Sequence, residues 1–275
     1  MSKFGLRKLG FGILLFGMAV CCYTASPVKA AETDVSIDNM TFPDATFLKY
    51  VGRFDKSGDG RLSESERNAV KEIVVNVDPF SSQTKITSLA GIEYFPNLTV
   101  LECESNSLAG LDVTKNKKLQ ELNCDKNNLQ SLDVSQNTEL IKLQCRYNQL
   151  PGLDVTENTN LQKLWIYENQ ISSIDLSKNT ELVELACGNN PLTSLDVSQN
   201  TKLEGLHVYN TQVTALDLSN MTNLTTLACY NNNLTSLNIS GDTALKTLSC
   251  YQNRLTSLDI GDSSELTDVS CSQNG

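Results

Sequence analysis

Hydrophobic and polar positions along this chain recur with a period of 21 residues. Within each unit they follow the pattern LxxLxCxxNxLxxLDVSxNTx. The units begin at Leu98, Leu119, Leu140, Leu161, Leu182, Leu203, Leu224, Leu245 and Leu266. Because the register does not slip, the pattern predicts one supersecondary unit repeated along a solenoid. Eight units are complete and the ninth stops at Gly275, so we expect the sequence to be part of a longer protein.

Each unit predicts a short strand followed by a turn. In the unit from Leu119, strict alternation directs Leu122 and Cys124 toward a core and Asp125 toward solvent. Asn127 is expected to turn the chain, because its amide can satisfy backbone groups that the turn leaves unpaired. Burial of the apolar side chains of one unit contributes about 10–15 kcal/mol, whereas ordering its residues costs about 30 kcal/mol. The units must therefore stack and pair their strands into one parallel sheet.

Seven cysteines share the inward strand position of this pattern. They are Cys103, Cys124, Cys145, Cys187, Cys229, Cys250 and Cys271. Successive turns lie about 4.8 Å apart, which exceeds the Cβ separation of about 3.8 Å that a disulfide prefers. We therefore predict a column of buried free thiols that pack as small apolar side chains. The sequence has no CxxC pair or Cys/His cluster that would favour zinc.

Acidic residues form a second column. It contains Asp112, Asp133, Asp154, Asp175, Asp196, Asp217, Asn238 and Asp259. Stacked carboxylates repel each other, so we expect each to accept a hydrogen bond from the backbone two residues later, in an Asx-type turn. Asn238 favours this interpretation over a metal ladder, because it keeps the acceptor and removes the charge.

Residues 55–66, ahead of the repeats, have the spacing of an EF-hand calcium loop. The predicted oxygen ligands are Asp55, Ser57, Asp59, Arg61 through its carbonyl, and Glu66. Apolar residues before the loop, and Val70 and Ile73 after it, predict a short helix on each side. We expect a structural Ca²⁺ that joins these helices into a cap for the solenoid. A loop retained only as a turn is the alternative, since the chain has a single copy.

The outward strand positions predict a continuous binding face. Its candidate residues are Arg146, Tyr147, Trp165, Tyr167, His207, Tyr209, Tyr230 and Tyr251. Exposed Trp, Tyr and Arg are enriched in binding hot spots, and aromatic faces also suit sugar rings. The alternative is that these tyrosines only stabilise an exposed sheet through cross-strand contacts. Nothing in the repeat places a nucleophile beside His207, so catalysis is not expected.

The N-terminal segment predicts the location of the protein, and the net charge of the chain argues against one class of partner. Lys3, Arg7 and Lys8, the apolar run 9–20 and the small-residue site ending at Ala30 predict a cleaved secretory signal peptide. The run is too short for a membrane span. Without residues 1–30 the chain has 18 basic and 32 acidic residues, a net charge of −14. Such a surface disfavours nucleic acid.

These features together resemble a known class. The 21-residue pattern is similar to the leucine-rich repeats of bacterial internalin-like surface proteins, and residues 4–12 loosely resemble a YSIRK-type signal. The resemblance implies an α/β repeat fold, a leucine-rich-repeat solenoid with a parallel sheet on one face, preceded by a small helical EF-hand-like cap. We divide the chain into a signal peptide (1–30), a cap (31–97) and the repeats (98–275).

The function implied is that of a secreted or cell-wall-associated binding protein. It would be a monomer that binds a protein or glycan on its sheet face, as an adhesin or host-interaction factor does. The alternative is a targeting or spacer module of a larger secreted enzyme or wall-attached protein that continues beyond Gly275.

Overall fold

The computed structural model describes residues 34–219 and 221–275; the predicted signal peptide lies outside the described residues. The helices are α1 (Ala45–Val51) and α2 (Glu64–Ala69), with short 3₁₀ turns at Gly52–Phe54 and Ile92–Tyr94. The strands are β1 (Val35–Ser36), β2 (Arg61–Leu62), β3 (Glu72–Val74), β4 (Val100–Glu102), β5 (Glu121–Asn123), β6 (Lys142–Gln144), β7 (Lys163–Trp165), β8 (Glu184–Ala186), β9 (Gly205–His207), β10 (Ala215–Asp217), β11 (Thr226–Ala228), β12 (Ser236–Asn238), β13 (Thr247–Ser249) and β14 (Asp268–Ser270).

Ten of these strands form one sheet, in the order β14-β13-β11-β9-β8-β7-β6-β5-β4-β3. Every pairing is parallel, and β4 to β14 pair at equivalent positions of successive units, as Leu122 does with Leu143. β10 and β12 form a separate two-stranded parallel sheet in the second half of their turns. The predicted leucine-rich-repeat solenoid with a parallel sheet on one face is therefore confirmed.

The core consists of the inward columns that the pattern identifies. The first and second leucines of the units from Leu98 to Leu245 are fully or almost fully buried. Cys103, Cys124, Cys145, Cys187, Cys229 and Cys250 are buried free thiols, whereas Cys271 in the last unit is free and exposed. Burial raises the pKa of Cys250 to about 11. The six buried cysteines pack as uncharged apolar side chains, as predicted, whereas the prediction of burial is wrong for Cys271.

A ladder of buried asparagine amides ties each turn to the one before it. Asn127 shows the geometry: its Nδ2 donates to the carbonyls of Cys103 (3.0 Å) in the preceding turn and Cys124 (3.1 Å) in its own. Its Oδ1 accepts the N–H of Leu108, 3.0 Å away in the preceding turn. The equivalent residues are Asn106, Asn148, Asn169, Asn190, Asn232, Asn253 and Asn274. Thr211 replaces one of them, and its hydroxyl lies within hydrogen-bond distance of the Val208 carbonyl in its own turn and of Asn232 Oδ1 in the next turn.

A second buried column lies at the end of each unit. Asn116, Asn137, Asn158, Asn179 and Asn200 each donate from Nδ2 to two carbonyls of the preceding turn. Asp242 stands in this column and is 0% exposed. Its Oδ1 accepts the N–H of Met221 at 2.8 Å, and its Oδ2 has no hydrogen-bond partner among the described residues. Burial raises the pKa of Asp242 to about 6.

The exposed aspartates form the predicted Asx turns. Asp112 accepts the N–H of Thr114 at 2.9 Å, and each later member accepts the N–H two residues on. Asn238 does the same with Ser240. The hydrogen bonds from the Thr114 side chain and backbone lower the pKa of Asp112.

The cap joins the sheet earlier than the repeat pattern indicates. β3 pairs with β4, so the first strand of the large sheet precedes the first 21-residue unit. Val70 and Ile73, which we expected on the helix after the loop, lie beyond its end: Val70 is the C-cap of α2 and Ile73 lies in β3. The helix ends before Ile73 because this residue is fully buried beside the solenoid core, and an extended backbone allows that burial.

We predict that Asp242→Asn stabilises the protein at neutral pH. Because the pKa of Asp242 is about 6 in the folded state, above the ordinary 3.8, stability is lost as the pH rises through 6. The amide keeps the acceptor for Met221 and removes the buried charge, so the free energy of unfolding should rise by about 1–3 kcal/mol at pH 7.5. At pH 4 the gain should disappear.

Urea denaturation at both pH values measures this effect. Asn200→Asp is the converse variant: it should lower the free energy of unfolding at both pH values, because it removes the two hydrogen bonds that Nδ2 donates, and lower it further at pH 7.5, where the buried carboxylate is charged. An equal effect of Asp242→Asn at pH 4 and pH 7.5 would show that the charge of Asp242 is not its cause.

Candidate functional site

The predicted binding residues lie together on the outward face of the ten-stranded sheet. β7 carries Trp165, with Tyr167 just after the strand, and the equivalent position of β9 carries His207. Tyr147 is the most exposed of the group at 44%. We call this set the aromatic face: Arg146, Tyr147, Trp165, Tyr167, His207, Tyr209, Tyr230 and Tyr251.

Arg146 organises the end of the aromatic face nearer the cap. Its guanidinium carbon lies 4.9 Å from the centre of the Trp165 ring and 5.4 Å from that of Tyr167. Tyr147 packs edge-on against Tyr167 at 5.4 Å. A cation between two rings is attracted by both, and the contacts fix the position of the arginine. The four side chains therefore form one rigid cluster.

A buried carboxylate holds this arginine. Asp125 is 0% exposed, although we predicted it to face solvent. Arg146 covers it: Nε donates to Asp125 Oδ2 at 2.5 Å, Nη2 also pairs with that oxygen, and the backbone N–H donates to Oδ1. Burial raises the pKa of Asp125, while the hydrogen bonds of Arg146 oppose that shift.

The other end is a stack of tyrosines. The ring centres of Tyr209 and Tyr230 are 4.8 Å apart, and those of Tyr230 and Tyr251 are 4.6 Å apart, with planes within 5° of parallel. The rings therefore cover each other's faces and present their edges and hydroxyls to solvent. Burial raises the pKa of Tyr209 to about 12. The expectation that these tyrosines offer free faces to sugar rings does not fit this arrangement.

Gly188 interrupts the tyrosine register because Tyr209 occupies its space. A Cβ at Gly188 would lie 2.8 Å from the backbone oxygen and 2.9 Å from Cε2 of Tyr209. The Tyr209 ring therefore leans toward Tyr167 across this glycine. The gap in the sequence pattern is therefore a packing requirement.

A row of amides borders the stack, which the sequence interpretation missed. Asn210 donates to Asn189 and Asn231 donates to Asn210, both at 2.7 Å. All three have left-handed backbone, with φ between 50° and 53°. Asparagine tolerates this conformation. The signal that could have identified the row is asparagine directly after the tyrosine position in consecutive units.

His207 sits at the rim of a shallow groove beside the aromatic face. The groove has a volume of about 420 Å³ and is lined in part by Lys163, Glu184 and Glu204. Burial lowers the pKa of His207, and Glu184 opposes that shift. The imidazole is therefore neutral at physiological pH and contributes a polar, uncharged edge.

The calcium-type loop adopts a compact turn between α1 and α2. Gly58 and Gly60 have positive φ of 73° and 79°. Asp55 accepts the N–H groups of both glycines, at 2.6 and 2.8 Å. Glu66 accepts from Lys56, Ser57 and Ser63, and its bonds from the side chain and backbone of Ser63 lower the pKa of Glu66 to about 2.

A short strand, and not a second EF-hand, pairs with the loop. β2 within it pairs with β1 in antiparallel register, Leu62 opposite Val35. Asp59 accepts the N–H of Arg61, whose guanidinium reaches the carbonyl of Asp34. Within the described residues no three His, Cys, Asp or Glu side chains form a group that could hold a metal ion. The predicted ligand atoms of loop 55–66 are nevertheless all oxygens, which Ca²⁺ prefers.

Comparisons with known proteins agree with this architecture. A family model for Leucine Rich repeats (2 copies) matches residues 159–200. The functional domain of InlJ from Listeria monocytogenes is 35% identical, with a TM-score of 0.82. The match covers 89% of this chain but only 53% of the InlJ chain, about half its length. That protein is described as including a cysteine ladder.

Two further listerial internalins share the fold. Internalin InlF is 20% identical with a TM-score of 0.60, and the match covers 89% of this chain and 86% of that one. Internalin C2 is 20% identical with a TM-score of 0.67, and the match covers 87% of this chain and 98% of that one. No curated protein matches the chain. In the part of the chain that the structure describes, no helix is long and apolar enough to cross a membrane.

The solenoid, its inward columns and these matches define the class of protein. The chain is a leucine-rich-repeat protein, and proteins of this class typically serve as binding scaffolds. Its fold is similar to that of the listerial internalins.

We predict that Arg146→Ala destabilises the protein by about 2–4 kcal/mol, because it leaves the Asp125 carboxylate buried without its partner. The double variant Asp125→Asn, Arg146→Ala should recover most of that loss, since no charge is then buried. Chemical denaturation of both variants measures the difference. If the double variant is no more stable than Arg146→Ala, the carboxylate is not what makes the arginine necessary.

Proposed function

We propose that this protein is a secreted or cell-surface binding protein that uses the aromatic face to bind a protein or glycan, as an adhesin or host-interaction factor does. The observation that carries the proposal is the aromatic face itself, a contiguous set of Trp, Tyr and Arg side chains on the solvent side of the sheet. The predicted signal peptide and the likeness to internalins support the extracellular location.

The arginine cluster has the features of a binding hot spot. Asp125 holds Arg146, which in turn holds Trp165 and Tyr167, so these side chains lose little conformational entropy when a partner covers them. Large aromatic surface in a fixed geometry is typical of residues that dominate binding energy. The partly exposed Tyr147 extends this surface.

The tyrosine stack supports a different kind of contact. Its edges and hydroxyls, with the adjacent row of asparagine amides, offer regularly spaced hydrogen-bonding groups. Such a strip suits a partner with its own repeated polar groups. The alternative that the stack only stabilises the sheet predicts a loss of stability, and no loss of binding, when it is removed.

The double variant Trp165→Ala, Tyr209→Ala tests the proposal. We expect the labelled full chain to bind cultured epithelial cells at least about tenfold more weakly after the change, because each residue is a hot-spot type. Protease or glycosidase treatment of the cells then distinguishes a protein partner from a glycan.

The matched control is Met40→Ala, Ile260→Ala, which removes two exposed apolar side chains outside the face. Circular dichroism confirms that each variant is folded. If the Trp165→Ala, Tyr209→Ala variant binds cells as well as the control and the parent do, the binding site lies elsewhere.

A second candidate is that the chain is a targeting or spacer module of a larger secreted or wall-attached protein. The observation that favours it is the match to about half of the InlJ chain. In that case the aromatic face would still bind a partner, and the remainder of the protein would supply the attachment or the activity.

We also propose that loop 55–66 binds a structural Ca²⁺. Asp55, Ser57, Asp59, the Arg61 carbonyl and Glu66 would be its ligands, and the oxygen-only donor set and the left-handed Gly60 support the assignment. When bound, the ion would neutralise the carboxylates of the loop and hold α1 and α2 together.

Removal of calcium tests this assignment. With a Kd of about 10⁻⁴–10⁻³ M, 10 mM Ca²⁺ should stabilise the parent by about 1–3 kcal/mol. The melting temperature should fall on addition of chelator, and Asp55→Ala, Glu66→Ala should abolish this response. Glu64→Ala, Glu72→Ala removes two nearby acidic residues outside the ligand set and should retain it. A parent protein whose melting temperature ignores chelator would refute the calcium assignment.

A further inference from the structure

The outer edge of β3 is the exposed end of the ten-stranded sheet. In the described part of the chain, no strand pairs with it on the side away from β4. Val75 and Val77 donate to the carbonyls of Glu102 and Glu104, at 2.8 and 3.0 Å. Because backbone groups of alternate residues in a strand point to opposite sides, those of Val74 and Asn76 face away from the sheet.

Only part of this edge is occupied. The N–H of Val74 donates to the hydroxyl of Tyr50 on α1, at 3.0 Å. The side chain of Asn76 bonds to Glu102 and Glu104 on the β4 side. Among the described residues, nothing donates to the carbonyl of Val74 and nothing accepts the N–H of Asn76. Unpaired strand edges of this kind are templates for the addition of another strand.

A groove of about 620 Å³ lies along this edge. α1 and the turn after it form one wall with Thr46, Lys49 and Arg53, while Val74 and Asn76 belong to the other. Val74 is a large apolar residue that is 40% exposed. The loop that follows this strand carries Phe80, which is 96% exposed. The groove thus combines open backbone with apolar surface at one end of the molecule.

The charge of the groove differs from that of the protein. Among the described residues, Lys49 and Arg53 are the only charged ones that line it. Neither takes part in the ion pairs formed among residues 34–219 and 221–275. Arg53 lies over the Tyr50 ring at 4.8 Å, which holds it at the groove. In a chain with a net charge of −10, two unpaired cations beside a free strand edge favour an acidic occupant.

The spacing of the two cations fits an extended peptide. Lys49 lies in α1 and Arg53 in the 3₁₀ turn that continues it, four residues further on, a spacing of about 6 Å along a helix. Side chains two residues apart in a strand lie on the same side, about 6–7 Å apart. An acidic residue at every second position would therefore match both cations while its backbone pairs with the edge.

We propose that this groove binds an extended acidic peptide, which adds to β3 as a further strand of the sheet. The backbone of Val74 and Asn76 supplies hydrogen bonds, Lys49 and Arg53 select carboxylates, and Val74 contacts the apolar side chains between them. This is strand addition, in which main-chain bonds give affinity and side-chain contacts give specificity. This proposed peptide site is separate from the aromatic face and does not depend on the function proposed for that face.

The test uses the full chain and a fluorescein-labelled peptide, Thr-Val-Glu-Val-Glu-Val-Thr. We expect saturable binding by fluorescence anisotropy, and slower hydrogen exchange at Asn76 in the complex. Lys49→Glu, Arg53→Glu should weaken binding at least about tenfold, because two charge-assisted contacts are lost. Lys178→Glu, Arg254→Glu makes the same charge change elsewhere and should bind like the parent. If the first variant does not fold, Lys49→Gln, Arg53→Gln replaces it.

Four results would overturn the proposal. The first is equal binding of a peptide with lysine in place of glutamate. The second is displacement of the peptide by inorganic phosphate at low millimolar concentration, which would make the groove a site for simple anions. The third is a dimer of the free protein that Lys49→Glu, Arg53→Glu dissociates, which would make a second copy the occupant. The fourth is loss of peptide binding in Trp165→Ala, Tyr209→Ala, which would assign the peptide to the aromatic face.

Discussion

The buried asparagine amide that links each turn to its predecessor is the interaction on which the rest of the structure depends. Asn127 uses both ends of its amide across the interface, and its neighbours in the ladder repeat the arrangement. A buried backbone N–H or carbonyl without a partner costs about 1–3 kcal/mol, and the tight turn after each strand leaves several unpaired. One amide in every turn except that of Thr211 satisfies them and fixes the distance between neighbouring turns. The buried apolar columns increase the stability of this arrangement, but they could not set the register of one turn against the next.

The same fixed spacing produces the aromatic face. Strands held at about 4.8 Å bring equivalent side chains into direct contact, which is why the tyrosine ring centres lie 4.6–4.8 Å apart. This strand spacing therefore causes tyrosines in consecutive turns to stack on each other. Where the register carries Gly188 the stack cannot continue, and Tyr209 leans into the space. The surface presented to a partner thus follows from the core.

Features that depend on local pattern could be predicted from the sequence, and features that depend on contacts between turns could not. The strand of each unit, the inward thiols and the Asx turns follow from the spacing of residues within 21 positions. The burial of Asp125 does not, because it results from an arginine in the next turn that folds over it. Asp242 was missed for a similar reason: its polarity indicates a surface position, and only the stacked column shows that it is buried.

The cap shows how far the solenoid constrains the segment before it. α2 ends at Ala69, and the buried Ile73 in β3 follows within four residues. The loop 55–66 is therefore almost directly continuous with the first strand of the sheet, and Glu66 at its end also accepts N–H groups from its beginning. Only Val70 and Lys71 separate α2 from β3, so the position of the cap helix and that of the first strand are closely linked. The cap consequently does more than cover the first turn, since it determines the position of the edge at which the sheet begins.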